Sequence, residues 1–447
     1  MMQPAVRRRW LIAMAGLLFA AQLTLIALLT ARGIRLRPTL TVQLAGFAIS
    51  LFLLLTIRLM NLGRRAVAVV LLGGCALLQC AAMLGSPVSS DDDYRYLWDA
   101  KVQLSGTDPY RYVPSDPALQ SLRANPMFDH QSPCRSHPIV NGCTAINRPN
   151  VHTAYPPVAE AVFTGIRLLS LGGKGNHLPL QLAGALGVLA TTGLLIRLAT
   201  VRAGPVWPVA AWALSPLVAV EATNNAHIEW LAVLFSVGAV LAAARGRKGR
   251  SGLLIGAAIA TKLYPGVLLT ITGRRPIRAL VMATAVVVLS YLPHLLVVGG
   301  SVLGYLPAYL REEQYSSGGR YLIVSALVGA GASSLVAPIL LIGLLAWLWW
   351  SADRRPVELT ALFTVGGYLL VTTPGYSWYA LSLVAMIAAT GRFEWLWLSF
   401  APSLLYMAGD IGLSRTSATW LGYAAALALV VAARVRPRES RRREGAV

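Results

Sequence analysis

Apolar runs of membrane length recur along almost the whole chain, and short basic clusters punctuate them. A spanning helix needs about 20 apolar residues. The runs 10–30, 39–57, 66–85, 154–171, 178–199, 227–244, 279–298, 333–350, 357–373, 376–391, 393–409 and 418–434 meet or approach that length. They predict an all-α polytopic integral membrane protein with about twelve spanning helices. Two further apolar segments fit less well. Pro208 and Pro216 break 205–221, and Lys262 and Pro265 interrupt 252–272. Irregular backbone survives at membrane depth when protein or a water-filled cavity covers it. Both segments are therefore expected to be re-entrant, 205–221 from the outer face and 252–272 as a broken hairpin from the cytoplasm.

Charge supports this reading. Only 13% of the 447 residues are charged, against about 25% in soluble domains, and mean hydropathy is +0.60. The formal net charge of +21 invites a nucleic-acid partner. However, the clusters at 7–9, 63–65, 244–252, 273–278, 353–356 and 434–444 each flank an apolar run, where the positive-inside rule expects Lys and Arg. The expected partners are membrane lipids, with no nucleic acid. Placing these clusters in the cytoplasm puts both termini there and residues 86–153 outside. Arg32, Arg35 and Arg37 run against the rule. The chain then divides into N-terminal helices (1–85), an extracytoplasmic loop (86–153), a core with the re-entrant segments (154–300), C-terminal helices (301–434) and a basic tail (435–447). The apolar run after the N-terminal arginines is too long for a signal peptide and reads as the first span.

The outer loop is rich in proline and opens on SSDDDYRYLWDAKVQLSG. Helical spacing puts Asp92, Tyr96, Asp99 and Gln103 on one face, with Tyr94, Leu97 and Trp98 free to lie against lipid or protein. This describes a helix along the membrane surface. Cys134 and Cys143 share the loop, and an outside location favours a disulfide between them. Cys75 and Cys80 lie in an apolar run.

The stretches SDDDYRYLWDA, GTDPYRYVPSDPAL and HTAYPPVAEAVF resemble bacterial GT-C membrane glycosyltransferases that use polyprenyl-phosphate sugars, particularly the actinobacterial mannosyltransferase-like members. EATNNAHIEW, IATKLYP and TTPGYSWYALSL continue the resemblance, in order, to about residue 410. Ala100 stands where the family pattern has Gly, and 120–150 is longer than the pattern. The resemblance implies a GT-C-like bundle with a large first catalytic loop at the extracytoplasmic side of the cell (plasma) membrane. It also implies an inverting single displacement. A sugar, most plausibly mannose, passes from polyprenyl phosphate to a hydroxyl of a glycolipid or polysaccharide in cell-envelope biosynthesis. Arabinofuranose is the alternative donor sugar, and a lipid or sugar transporter or flippase is the alternative of another class.

That reaction needs a carboxylate base for the acceptor hydroxyl and positive charge around the departing phosphate. The resemblance favours Asp92 as the base, because members of the family with a single aspartate here carry it two residues before the first Tyr, as Asp92 stands before Tyr94; Asp91 is second and Asp93 third. His227 and Lys262 are the candidate phosphate clamp, with Arg95, Arg311 and Arg320 as alternatives. Lys262 could instead snorkel to the cytoplasmic interface, and His227 with Glu229 and Glu221 could form a structural network. Tyr96, Tyr155, Tyr376 and Trp378 are candidate substrate contacts; with Tyr379, the last two read first as an interfacial aromatic belt. No cofactor is required. Three carboxylates could hold a divalent metal, but adjacent aspartates on one helical turn diverge, so no metal site is expected.

Overall fold

A computed structural model describes residues 4–31, 36–123, 127–129, 137–139, 142–170 and 177–435. Cys134, Arg32, Arg35 and the tail beyond Val435 lie outside the described residues. Among the described residues the fold is helical apart from one small sheet, and seven helices are long and apolar enough to cross a membrane.

The chain shuttles between two ends of a helical bundle. One end carries residues 86–153 and is called the loop end; the other collects the basic clusters. Helices α1 (Pro4–Ala31), α2 (Leu36–Leu59) and α3 (Arg64–Ala82) make the first passages. At the loop end Thr30 Oγ1 donates to Ala81 O over 2.8 Å, and at the basic end Arg64 donates to Ala203 O over 2.6 Å.

The expected helix forms as α4 (Asp92–Leu104), with most of its residues buried. Its Trp98 packs against protein, on Phe128, rather than lipid. After it come a short helical turn, Pro117–Leu122, and three strands, β1 (Phe128–Asp129), β2 (His137–Ile139) and β3 (Gly142–Thr144), paired antiparallel in the order β1-β3-β2. Cys143 is disulfide-bonded.

Two expectations about spans are overturned together. The segment 154–171 does not cross. Its helix α5 (Pro157–Leu169) has 13 residues and stays at the loop end. It lies on α4, with Phe163 stacked on Tyr96 at 4.3 Å between ring centroids. Residues at either end of the segment meet α4: Tyr155 bonds Asp92, and His177 pairs with Asp93. Conversely, 205–221 runs from one end of the bundle to the other. It leaves the end of α6 (Leu178–Val201) at the basic end, where Trp207 stacks on Phe393 beneath Arg58. It reaches the loop end at Asn224, whose side chain accepts from Val88 N and donates to Ala82 O. The prolines divide it into the turns Trp207–Val209, Ala210–Ala213 and Pro216–Val218 and the π-helical turn Ala219–Asn224. The carbonyl of Leu214, freed at a break, accepts from Gln22 Nε2 at 2.7 Å and Ser50 Oγ at 3.4 Å. Neighbouring helices thus satisfy the broken backbone and let it span. The two corrections cancel, so the downstream passages keep their expected direction.

Helix α7 (Glu229–Ala244) returns to the basic end. The expected broken hairpin follows: α8 (Lys248–Ile259) rises, and the helical turn Tyr264–Thr272 descends. Lys248 Nζ donates to Thr272 O at the foot, and Val158 N donates to Ala260 O near the tip. Lys262 sits at that tip. Helix α9 (Ile277–Val298) runs beside α8, because Gly252 and Gly256 admit the backbone of Ala279 and Ala283. The remaining passages are Ala330–Trp350, Val357–Thr372, 377–390, 393–406 and 415–434. With α1–α3, α6, the broken passage, α7 and α9 they total twelve among the described residues.

Candidate active site

The N-terminus of α4 places three aspartates in three different surroundings. Ser90 Oγ accepts from Asp92 N at 3.2 Å, and the acids in the first turn complement the helix dipole. Successive helical residues diverge by about 100°, so the carboxylates separate.

Asp92 faces a cavity of about 590 Å³ at the loop end. One of its oxygens accepts from Asn147 Nδ2 at 2.7 Å, and the other accepts from Tyr155 OH at 3.2 Å. Asn147 Nδ2 also reaches Asp91 at 2.7 Å, so one amide ties the two carboxylates together. Asp91 is the more open, with 44% of its side chain exposed against 17% for Asp92, and it contacts His137 Nε2 at 3.2 Å. Asp93 lies outside the cavity lining, buried and paired with His177 Nδ1. Burial raises the pKa of Asp93 despite the pull of His177. Burial alone would lower the imidazole pKa of His177; the bond to Asp93 outweighs it and holds it above its ordinary value. The third candidate base is thereby a link from α4 to the start of α6.

Lys262 lines the same cavity, so it does not snorkel to the basic end. Its Nζ is 2.8 Å from Glu229 Oε1 and lies 5.0 Å from the centroid of the Tyr155 ring. The hairpin brings it there from the far end of the bundle. Glu229 is fully buried and acts on the cavity through Lys262.

His227 is fully buried behind the cavity wall. Its Nε2 is 3.9 Å from Asp92, and its Nδ1 is 3.0 Å from Glu221 Oε2, a close approach without hydrogen-bond alignment. Glu221 in turn accepts from Ser377 Oγ at 2.7 Å and Asn225 Nδ2 at 3.0 Å. The ring of His227 lies 4.0 Å from that of Trp378, which stacks on Tyr376. Tyr376 and Trp378 therefore form part of the cavity wall, beyond any belt role. His227 belongs to the network that supports them and Asp92.

Arg95 reaches the cavity but is committed: Nε bonds both oxygens of Asp99 at 2.9 Å, and an η nitrogen donates to Val151 O. Tyr96 is buried on Phe163 and does not line the cavity. Arg320 is buried against Glu313. Glu160, from α5, accepts from Thr153 Oγ1 at 2.7 Å and Gln103 Nε2 at 2.8 Å. Burial and the nearby charge of Asp99 push its pKa well above the carboxylate range.

Sequence reasoning missed Asn147, His137, His177 and the Tyr305, Tyr309 and Tyr406 side of the cavity. No spacing signal joins Asn147 to Asp92, 55 residues earlier. The NRPN context around Asn147 was readable only as loop.

Residues 153–374 match the family model described as Glycosyltransferase family 87, a GT-C-type membrane glycosyltransferase family. The matched stretch contains Tyr155, His227, Glu229 and Lys262, and α4 with its aspartates precedes it. No curated protein and no solved structure matches the chain. A polytopic helical bundle and a cavity lined by acids, a lysine and tyrosines accompany this match, and over residues 153–374 the chain is similar to Glycosyltransferase family 87.

Proposed function

We propose that the protein transfers a sugar from a polyprenyl-phosphate donor to an acceptor hydroxyl in the cavity that holds Asp92. The carrying observation is that one cavity unites Asp92, held by Asn147 and Tyr155, with Lys262 and an aromatic wall. Asp92 accepts the acceptor's proton as its oxygen attacks the anomeric carbon. The bond from that carbon to the phosphate oxygen breaks on the opposite side, and its electron pair leaves with polyprenyl phosphate. The anomeric centre inverts. Lys262 offsets the negative charge that grows on the leaving phosphate, while Glu229 keeps its ammonium at the cavity wall. Tyr376 and Trp378 offer faces for a sugar ring.

The basic clusters at the opposite end support an extracytoplasmic cavity and cytoplasmic termini under the positive-inside rule. Mannose is the first donor to test and arabinofuranose the second, both on the strength of sequence resemblance. The acceptor is a lipid- or polysaccharide-linked sugar of the cell envelope.

The test incubates purified protein with polyprenyl-phosphate mannose, or the arabinofuranose donor, and a membrane extract. Asp92→Asn is expected to lower kcat by about 10²–10⁴-fold, and Lys262→Met by about 10²–10³-fold. Equal transfer by wild type and Asp92→Asn removes the base assignment. No transfer from either donor would favour the transporter reading.

A further inference from the structure

At the opposite end of the bundle from Asp92 lies a second cavity, of about 1110 Å³. Six cationic side chains line it: Arg247, Lys248, Arg250, Arg274, Arg275 and Arg278. No acidic side chain is among its lining residues. The positive-inside rule places cations at this end, but it does not require six of them to share one hollow. Unneutralised, they repel one another.

The backbone adds to the field. Helices α8 and α9 run in the same direction, held close where Gly252 and Gly256 meet Ala279 and Ala283. Their N-termini, Lys248 and Ile277, therefore open side by side on the cavity, and neither is capped by a side chain. Their positive dipole ends favour a multiply charged anion between them. The neighbouring acid, Asp353, is engaged by the backbone N of Arg274 at 3.1 Å.

The flank of the cavity is apolar. Ile277 is 75% exposed, Val281 55% and Leu253 45%, all on the two helices that form it. A cationic hollow beside an open apolar ridge matches an amphiphile better than a soluble anion.

We propose that this cradle binds the phosphate-bearing head group of an anionic phospholipid, with its acyl chains along the outer face of α9. Arg247, Lys248 and Arg250 lie where the hairpin starts, and Arg274 and Arg275 follow its end. One head group would thus tie both feet of the hairpin whose tip presents Lys262. That second role rests on the glycosyltransferase reading; the binding itself does not.

Native mass spectrometry of the full-length protein, titrated with cardiolipin, tests the site. Replacing Arg250, Arg275 and Arg278 by Gln is expected to weaken binding about a hundredfold, at roughly a factor of five per surface cation. The corresponding triple Lys variant should bind within a few-fold of wild type, which also reports on folding. Arg7→Gln, Arg8→Gln and Arg9→Gln, combined in one chain, remove the same charge from another cluster and should leave binding unchanged. Wild-type binding by the Gln variant, or an equal loss in the Arg7–Arg9 control, overturns the proposal. Displacement of cardiolipin by an equal concentration of inorganic pyrophosphate would overturn the lipid assignment in favour of a free-phosphate site. In parallel transfer assays, a wild-type protein that binds the lipid but transfers no sugar would count against the glycosyltransferase reading alone.

Discussion

Asp92 is useful as a base only if its carboxylate stays aimed at the cavity, and Asn147 is the group that holds it. The amide donates to both Asp91 and Asp92 at 2.7 Å, which offsets the repulsion between two adjacent carboxylates. On the proposed reaction its role is positioning, because its amide nitrogen donates to the two carboxylates at the cavity wall. Asn147→Ala is expected to lower kcat up to about 10²-fold, the cost of a misplacement on the order of 1 Å, with the donor KM unchanged. Steady-state kinetics checks this; a raised KM with normal kcat would instead place Asn147 in donor binding. Asp93 behaves differently because burial against His177 spends it on the fold.

At the scale of elements, the pairing of α4 with α5 sets where the aspartates stand. Between them lies a buried network in which Arg95 binds Asp99, and Glu160 accepts from Gln103 and Thr153. Burial and the charge of Asp99 push the pKa of Glu160 well above the ordinary carboxylate range, which favours its neutral form. Glu160→Gln keeps the shape and carries no charge, in line with the raised pKa, so it is expected to leave thermal stability near wild type. Glu160→Ala leaves Gln103 and Thr153 without their acceptor and should cost about 1–3 kcal/mol. Thermal melts of the two variants check the sign. A Gln variant as unstable as the Ala variant would mean that Glu160 works as an anion.

Across the whole molecule, the hairpin is the part that joins the two ends. It reaches the cavity only because α8 and α9 approach at the Gly252 and Gly256 seam. A Cβ at Gly252 would lie 2.0 Å from Ala279 O, a backbone atom with no rotamer to yield. Gly252→Val is therefore expected to destabilise the protein by about 1–3 kcal/mol, as overpacking does. It should also raise the donor KM at least several-fold by displacing Lys262. At Gly249 a Cβ meets only Met282 Cγ, at 3.9 Å. Gly249→Val is the matched control, and the same kinetics and melts on both distinguish a packing seam from general intolerance of bulk.

The sequence by itself determined the membrane class, the two ends of the bundle, the number of passages though not the identity of each, and the hairpin bearing Lys262. These follow from hydropathy and charge, which are sums along the chain and need no partner. It also singled out Asp91, Asp92, Lys262, Tyr155, Tyr376 and Trp378, all of which line one cavity. Tertiary structure alone decided which proline-broken segment crosses. Pro208 and Pro216 announce a break, but the donors that make it tolerable, Gln22 and Ser50, lie 192 and 164 residues away from Leu214. It likewise separated Asp92 from Asp93, since three identical side chains in a row differ only in what faces them. Hydrophobic patterning sets depth and direction locally; the pairing of polar groups is a long-range matter and becomes readable only when the chain has folded.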